Sequence, residues 1–354
     1  MNILIVSFSV GGAMGDLFME TTKSLSKSQN VSVLTNMRYK ASDLGTENVC
    51  NINFDKKDLF TFLNPESYLR IIKFLKKTKF DVALIYSPHV LNFFVCSLIR
   101  KRKICTFIHD HKLHSGVKGF INLMLNSLVK YSYSRSKTLF VCYNKMKEEM
   151  TADVPKGTNI VVNYFPILHV LCNEEKSASY NIDVLFYGRI ETYKGLDILI
   201  DAAKSCSNVN FHIAGRGDLD KIYGIKKLPS NVTHHNRYVP DEELADMIRS
   251  TKMVVLPYRD ATGSQTAQCA HYYAKPVIAT NTGCFPEYVL DGKSGIIVDP
   301  ENSEQLSNAI IYLMKNEKKR EEMGCNGKER LMELFTDEAM VDRYVETFNK
   351  MIKS

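Results

Sequence analysis

Leu256 to Val298 reads LPYRDATGSQTAQCAHYYAKPVIATNTGCFPEYVLDGKSGIIV, and its punctuation decides the fold. The apolar run Met253–Leu256 stops at Pro257-Tyr258, which predicts a strand followed by a turn. A small polar loop, Thr262-Gly263-Ser264-Gln265, then opens a helix predicted over Thr266–Tyr273. Pro276–Thr280 is short, apolar and β-branched, as a buried strand should be. A glycine-bearing loop with Gly283 and Pro286-Glu287, a Gly292/Gly295 turn and a last apolar strand complete the stretch. A loop of small residues that opens a helix offers backbone N–H groups to an anion. Two such loops, each at a strand's carboxyl end, lie where open α/β sheets bind their ligands. Ser264, Gln265 and Thr266 are the expected donors at the first.

Working outward, the chain repeats this grammar. Asn2–Ser7, Gly11-Gly12 with Gly15-Asp16, a helix to Lys27 and Asn30–Thr35 form a βαβ unit, hence a parallel sheet. Helices are expected at Ser67–Lys77, Leu91–Ile99, Gly119–Ser134 and Lys145–Met150, and strands at Asp81–Tyr86, Ile104–Ile108, Thr138–Val141 and Ile160–Asn163. Tyr164–Tyr180 has no clear period and reads as a linker. The pattern then restarts with Asp183–Phe186, the helix Leu196–Ser205, Asn210–Ala214, Val232–His234 and the helix Asp241–Ser250. Three helices close the chain: Ser303–Asn316, Lys319–Leu334 and Asp337–Ile352. A length of 354 residues suits two domains with separate cores.

Composition excludes several classes. Apolar residues make up 45% and charged residues 24%, with no low-complexity tract. Nine scattered cysteines without a C-x-x-C pair argue for a reducing compartment. The opening MNILIVSFSVGG lacks a basic segment before its apolar run, so it reads as a strand and not as a secretory signal. Val90–Ile99, the most apolar run, is too short to span a bilayer. Residues 1–163 hold 23 Lys/Arg against 12 Asp/Glu, a balance of +11, and the remainder holds 23 against 27, or −4. Such a basic half suits an anionic membrane or a phosphorylated acceptor, or is simply a solvated surface; no recognition motif points to nucleic acid.

Gly188-Arg189-Ile190-Glu191-Thr192-Tyr193-Lys194-Gly195 is the most informative short motif. Two cations at the head of a βα unit suit a diphosphate, Arg with a bidentate fork and Lys with a compact charge. Gly215-x-Gly217 also follows a strand, but a lone G-x-G is a weak signal that a plain turn explains equally well.

Taken together these stretches resemble glycosyltransferase family 4, the retaining nucleotide-sugar transferases of GT-B fold. Gly188 to Gly195 matches the family's G-R-x-x-x-x-K-G, Lys275 to Thr280 its x-P-V-I-A-T strand, Thr282 to Glu287 its G-G-x-P-E loop and Asp291 to Gly295 its D-G-x-x-G turn. The resemblance is specific over 183–300 and looser before it. It implies an α/β protein with two Rossmann-like, doubly wound domains facing each other across a cleft. These would be an acceptor-binding domain at 1–165, a nucleotide-sugar domain at 166–336, and a helix at 337–354 crossing back to the first.

The resemblance also implies site residues. Arg189 and Lys194 would hold the donor diphosphate, and His109, beside Asp110, would contact the donor sugar. Gly11 and Gly12 would bring backbone close to diphosphate or acceptor, and Gly215 and Gly217 would lie near the nucleotide. The stretch His234–Val239 would face the base, with Arg237 where the family has glycine. The family's paired glutamates fall on Ala261 and Cys269, neither acidic; Pro257-Tyr258-Arg259 and Ser264 instead resemble a sub-branch of surface-polysaccharide transferases. Asp260 would then take the first acidic role, and Glu287 or Gln268 would compensate for the second.

No metal is expected, since the spacing of His109, His111 and His114 fits no familiar zinc motif. The expected function is retaining transfer of a hexosyl unit from a nucleoside-diphosphate sugar, UDP favoured, to a growing, lipid-linked polysaccharide such as capsule or O-antigen. The protein would be cytoplasmic, or peripheral on the inner face of the membrane through Leu91–Ile99 with Arg100–Lys103 and through Lys112–Lys118. Two alternatives stand beside it: a non-catalytic GT-B subunit that binds a partner or nucleotide sugar, and a nucleotide-sugar epimerase.

Overall fold

The computed structural model describes residues 1–8, 13–36, 39–52, 64–86, 89–109, 130–131, 133–167, 178–261 and 263–353. Two compact units divide the chain, Met1–Tyr164 with Asp337–Ser354, and Phe165–Thr336.

The first unit holds seven parallel strands: β1 (Asn2–Ser7), β2 (Asn30–Asn36), β3 (Val49–Ile52), β4 (Val82–Tyr86), β5 (Ile104–Ile108), β6 (Thr138–Val141) and β7 (Asn159–Val162). Their order is β3-β2-β1-β4-β5-β6-β7. The central strands are buried along almost their whole length, because helices cover both faces of a parallel sheet. That is why NILIVS and VALIY read as unbroken apolar runs. The final helix, Asp337–Lys353, belongs to this unit and packs on the helix Ala13–Ser26. Tyr86 and Tyr344 share a buried hydrogen bond of 3.0 Å, and Ser24 donates to Asp337 at 3.0 Å.

The second unit holds six parallel strands: β8 (Val184–Tyr187), β9 (Phe211–Ala214), β10 (Val232–His235), β11 (Met253–Leu256), β12 (Val277–Thr280) and β13 (Gly295–Val298). Their order is β10-β9-β8-β11-β12-β13. The chain runs outward from β8 to β10, then returns to place β11 on the other side of β8. The topological switch point of this sheet therefore lies between β8 and β11, and the carboxyl ends of those strands border the crevice such sheets use for ligands.

Several short elements escape the sequence reading, among them a strand and a helix. The strand β3, VCNI, buries only Ile52 fully and shows no alternation. The five-residue helix Leu219–Tyr223 is too short for a periodic signal and depends on its cap, Asp218, whose carboxylate accepts the Asp220 and Lys221 N–H groups at 3.1 and 3.2 Å. The predicted helix Gly119–Ser134 falls largely outside the described residues, as do Gly11, Gly12, Asp110, His111, His114 and Lys112–Lys118.

Candidate functional site

The strand β8 ends at Tyr187, and Gly188 takes φ +121°, a conformation that a side chain strains. The next residues form a loop and a single 3₁₀ turn, Thr192–Lys194, which sends the Lys194 side chain back over Gly188. A Cβ at Gly188 would stand 2.8 Å from the Lys194 ammonium.

Lys194 is only 8% exposed. Its Nζ donates to the Tyr258 hydroxyl at 2.9 Å and lies 4.8 Å from that ring's centroid. The Phe186 and Tyr193 rings each lie 5.8 Å away. Burial opposes its charge, but the neighbouring Tyr258 and Tyr193 hydroxyls outweigh it and raise the pKa above the ordinary lysine value. The group is therefore an ammonium at neutral pH. Arg189, on the same loop, is 83% exposed in its side chain, with Glu191 at 3.9 Å. One cation is held in an aromatic cage and the other is exposed beside Glu191.

The loop after β9 packs against this one. Gly188 N–H donates to Ala214 O at 2.9 Å, and a Cβ on Gly215 would overlap the Gly188 carbonyl oxygen. Gly217 abuts Ile190 in the same way and donates its N–H to Asn236 at 3.0 Å. Both glycines support the Arg189–Lys194 loop, Gly215 by letting backbones meet and Gly217 by making room for the Ile190 side chain. Farther along, His234 Nε2 lies 3.0 Å from Gly215 O, while His235 and His212 meet ring to ring at 3.0 Å. Burial lowers the pKa of both His212 and His235. Arg237 forks onto Glu243 at 2.8 and 2.5 Å, leaving the neighbouring Tyr238 ring 72% exposed at the carboxyl end of β10.

Across the switch point, Pro257-Tyr258-Arg259 is stitched to the same loop. Arg259 N–H donates to Tyr193 O at 2.7 Å, and its guanidinium reaches Thr192 O, Asp197 and Glu301. Arg259 is thus a structural clamp. The loop 263–265 leads into the helix Thr266–Tyr272. Ser264 Oγ lies 2.9 Å from Thr266 Oγ1 and accepts the Thr266 N–H at 3.4 Å. Gln265 does not turn its side chain to a ligand site but donates to Pro166 O at 2.8 Å.

The proposed acidic substitutes divide. Gln268 is 1% exposed, and in the amide orientation that satisfies both its atoms it donates to Ser264 O and Gln265 O, at 2.9 and 3.2 Å. It is a buried residue whose amide is satisfied locally. Cys269 is likewise buried, and the Ala261 carbonyl lies tucked under Gly283. Asp260 is exposed, and Glu287 is half-buried in the short helix Phe285–Tyr288. His109 belongs to the first unit, half-buried just beyond the carboxyl end of β5. Among the described residues no three His, Cys, Asp or Glu side chains come together as a metal site.

Comparison with known proteins bears on this geometry. Residues 173–330 match the model of the glycosyl transferases group 1. An uncharacterized glycosyltransferase of Methanocaldococcus jannaschii is 32% identical over 202 residues, 56% of each chain. The O-antigen chain mannosyltransferase C of Escherichia coli is 30% identical over 177 residues, 48% of this chain and 47% of its own. The chain thus spans about half the length of these two relatives. The structure of Anabaena HepE in complex with UDP-glucose superposes with a TM-score of 0.74 at 18% identity, covering 99% of this chain and 100% of that one. The fold is GT-B, two Rossmann-like α/β domains, and the second unit is similar in sequence to glycosyltransferases.

Proposed function

We propose that the protein is a retaining glycosyltransferase that moves a hexosyl unit from a nucleoside-diphosphate sugar, UDP favoured, onto a growing, lipid-linked polysaccharide. The observation that carries it is the buried, charged Lys194 beside the exposed Arg189, at the switch point of a sheet whose sequence matches group 1 transferases. Departure of a sugar leaves negative charge on the diphosphate. A preformed ammonium and an exposed guanidinium stabilise that charge as it develops. His109 would contact the donor sugar. The donor phosphate would accept the acceptor's proton on the face from which the sugar leaves, with positioning as the protein's main contribution.

Surface chemistry supports this reading of acceptor and location. On the helix Pro65–Lys77, Leu69, Arg70, Lys73, Lys76 and Lys77 form one exposed stripe, with Leu69 at 65% exposure. Cations around an exposed leucine suit the interface of an anionic membrane, where a lipid-linked acceptor would lie. Among the described residues no helix is long and apolar enough to cross a membrane.

The test is release of nucleoside diphosphate from UDP-, GDP-, ADP- and TDP-sugars, with and without acceptor lipids. Turnover of one donor, abolished by Arg189→Ala and by Lys194→Ala, is the expected result. Binding without turnover under every condition favours the second reading, a non-catalytic GT-B subunit, which the neutral, buried Ala261 and Cys269 motivate. No binding at all would remove the donor site.

A further inference from the structure

We propose that Tyr258 is a positioning residue whose hydroxyl holds the Lys194 ammonium in place and charged for a nucleoside diphosphate. The inference rests on the donor site proposed above and adds a residue to it, from the far side of the switch point.

Tyr258 is well placed for the task. It lies just past the end of β11, 2% exposed, and its carbonyl accepts the Thr280 hydroxyl at 2.6 Å. Its ring is held edge-on by Phe285 at 5.1 Å and by Tyr193 at 5.8 Å. A ring so fixed leaves its hydroxyl one position, 2.9 Å from Lys194 Nζ. An ammonium has three N–H bonds. Directing one at Tyr258 fixes how the others are aimed.

The hydroxyl also keeps the charge. Lys194 is surrounded by Phe186, Tyr193 and Tyr258, and burial alone would favour the neutral amine. The groups that bear on its charge are Tyr258 and Tyr193, which favour the ammonium, and Arg189, which opposes it; Glu191 sits on the same loop. Only Tyr258 makes a hydrogen bond to Lys194 among these. Removing that oxygen leaves a buried cation with aromatic faces and a repelling guanidinium.

Tyr258→Phe keeps the ring and removes the acceptor. Competitive acylation of amines from pH 8 to 11, read by peptide mass spectrometry, gives the Lys194 titration midpoint without any ligand. The midpoint should fall by about one unit, leaving about tenfold more neutral amine at pH 9. Tyr193→Phe, which leaves the hydrogen bond intact, should shift it less. UDP affinity should hold to pH 9.5 in the unsubstituted protein and fall by up to about twofold between pH 7 and 9.5 in Tyr258→Phe. Tyr258→Leu serves as a second acceptor-free variant should the first not fold. An unchanged Lys194 midpoint overturns the proposal, whatever UDP does. A shifted midpoint in a protein that binds none of UDP, GDP, ADP and TDP overturns the donor-site reading and upholds the hold of Tyr258 on Lys194.

Discussion

The Lys194 ammonium lies where a side chain on Gly188 would begin, 2.8 Å from the position of a Cβ there. The same glycine sits at φ +121°, so Gly188→Ala brings two penalties at once. Backbone strain should cost about 1–3 kcal/mol of stability. The methyl group should also push the ammonium from its cage. We expect a lower melting temperature together with at least tenfold weaker nucleoside-diphosphate binding. Normal binding in a stably folded Gly188→Ala would show that the donor does not use Lys194 as placed.

Arg189 and Lys194 should part company when each becomes alanine. Arg189 is mostly exposed and makes one distant ion pair, so its loss should leave the melting temperature within a degree or two while turnover falls. Lys194→Ala empties a buried cage and strands the Tyr258 hydroxyl, which should cost about 1–3 kcal/mol as well as activity. Thermal melts beside kinetics separate the two. Equal destabilisation by both would mean that the exposed arginine has a structural role.

Acid should weaken both units through histidines that fold neutral. His271, fully buried with Nε2 at 3.3 Å from Ser294 O, has its pKa lowered to about 4 by burial. His89 is lowered to about 4 for the same reason, and its Nδ1 accepts the Leu91 N–H at the start of the helix Val90–Leu98. An unfolded histidine takes its proton near pH 6.5, before the folded one does. Stability is thus fully present above about pH 6.5 and is lost as pH falls toward 4, by up to roughly 3 kcal/mol for His271. Urea midpoints at pH 7 and pH 5 measure the loss. A flat profile would mean that these rings are protonated in the folded protein.

Much of this architecture was legible because parallel strands buried on both faces must be apolar throughout, as in NILIVS, VALIY and VLFY. The loop Gly188–Gly195 stood out through its resemblance to the G-R-x-x-x-x-K-G motif, since an Arg and a Lys five apart are by themselves most often a solvated loop. What stayed hidden depends on long-range packing. Lys194 and Tyr258 stand 64 positions apart, and no local pattern says that one buries the other. The ion pairs of Arg259 with Asp197 and Glu301, 62 and 42 positions away, were hidden in the same way. The partners of the Gln265 and Gln268 carboxamides, both nearby carbonyls, were equally out of reach of any local pattern.

The end of the helix Thr266–Tyr272 carries a local rule broken. Ala274 N–H donates to His271 O at 2.9 Å and Lys275 N–H to Ala270 O at 3.0 Å, a Schellman cap whose left-handed residue is usually glycine. Here it is Ala274, at φ +52°. Replacing it with glycine removes a left-handed penalty of about 1–2 kcal/mol and adds back about 0.4–1 of unfolded-state entropy. Ala274→Gly should therefore raise stability by up to about 1 kcal/mol, visible as a higher urea midpoint with unchanged slope. A loss of stability would indicate that the Cβ makes contacts worth more than the strain.

The basic stripe on the helix Pro65–Lys77 makes a prediction independent of catalysis. Lys73, Lys76 and Lys77 are exposed on one face with Leu69, whereas Arg70 is already paired with Glu66 at 2.7 Å. Each lysine near an anionic leaflet contributes about 1 kcal/mol, so replacing all three with glutamate should weaken vesicle binding at least about a hundredfold. Co-sedimentation with phosphatidylglycerol vesicles, against neutral phosphatidylcholine, reads this directly. Binding should also fall with added salt, because exposed charges are screened within about 10 Å at 0.1 M. Leu69→Ser should weaken the salt-resistant remainder. Equal binding to both lipids, or a triple variant that binds as before, would remove the stripe as a membrane surface and leave it a solvated face.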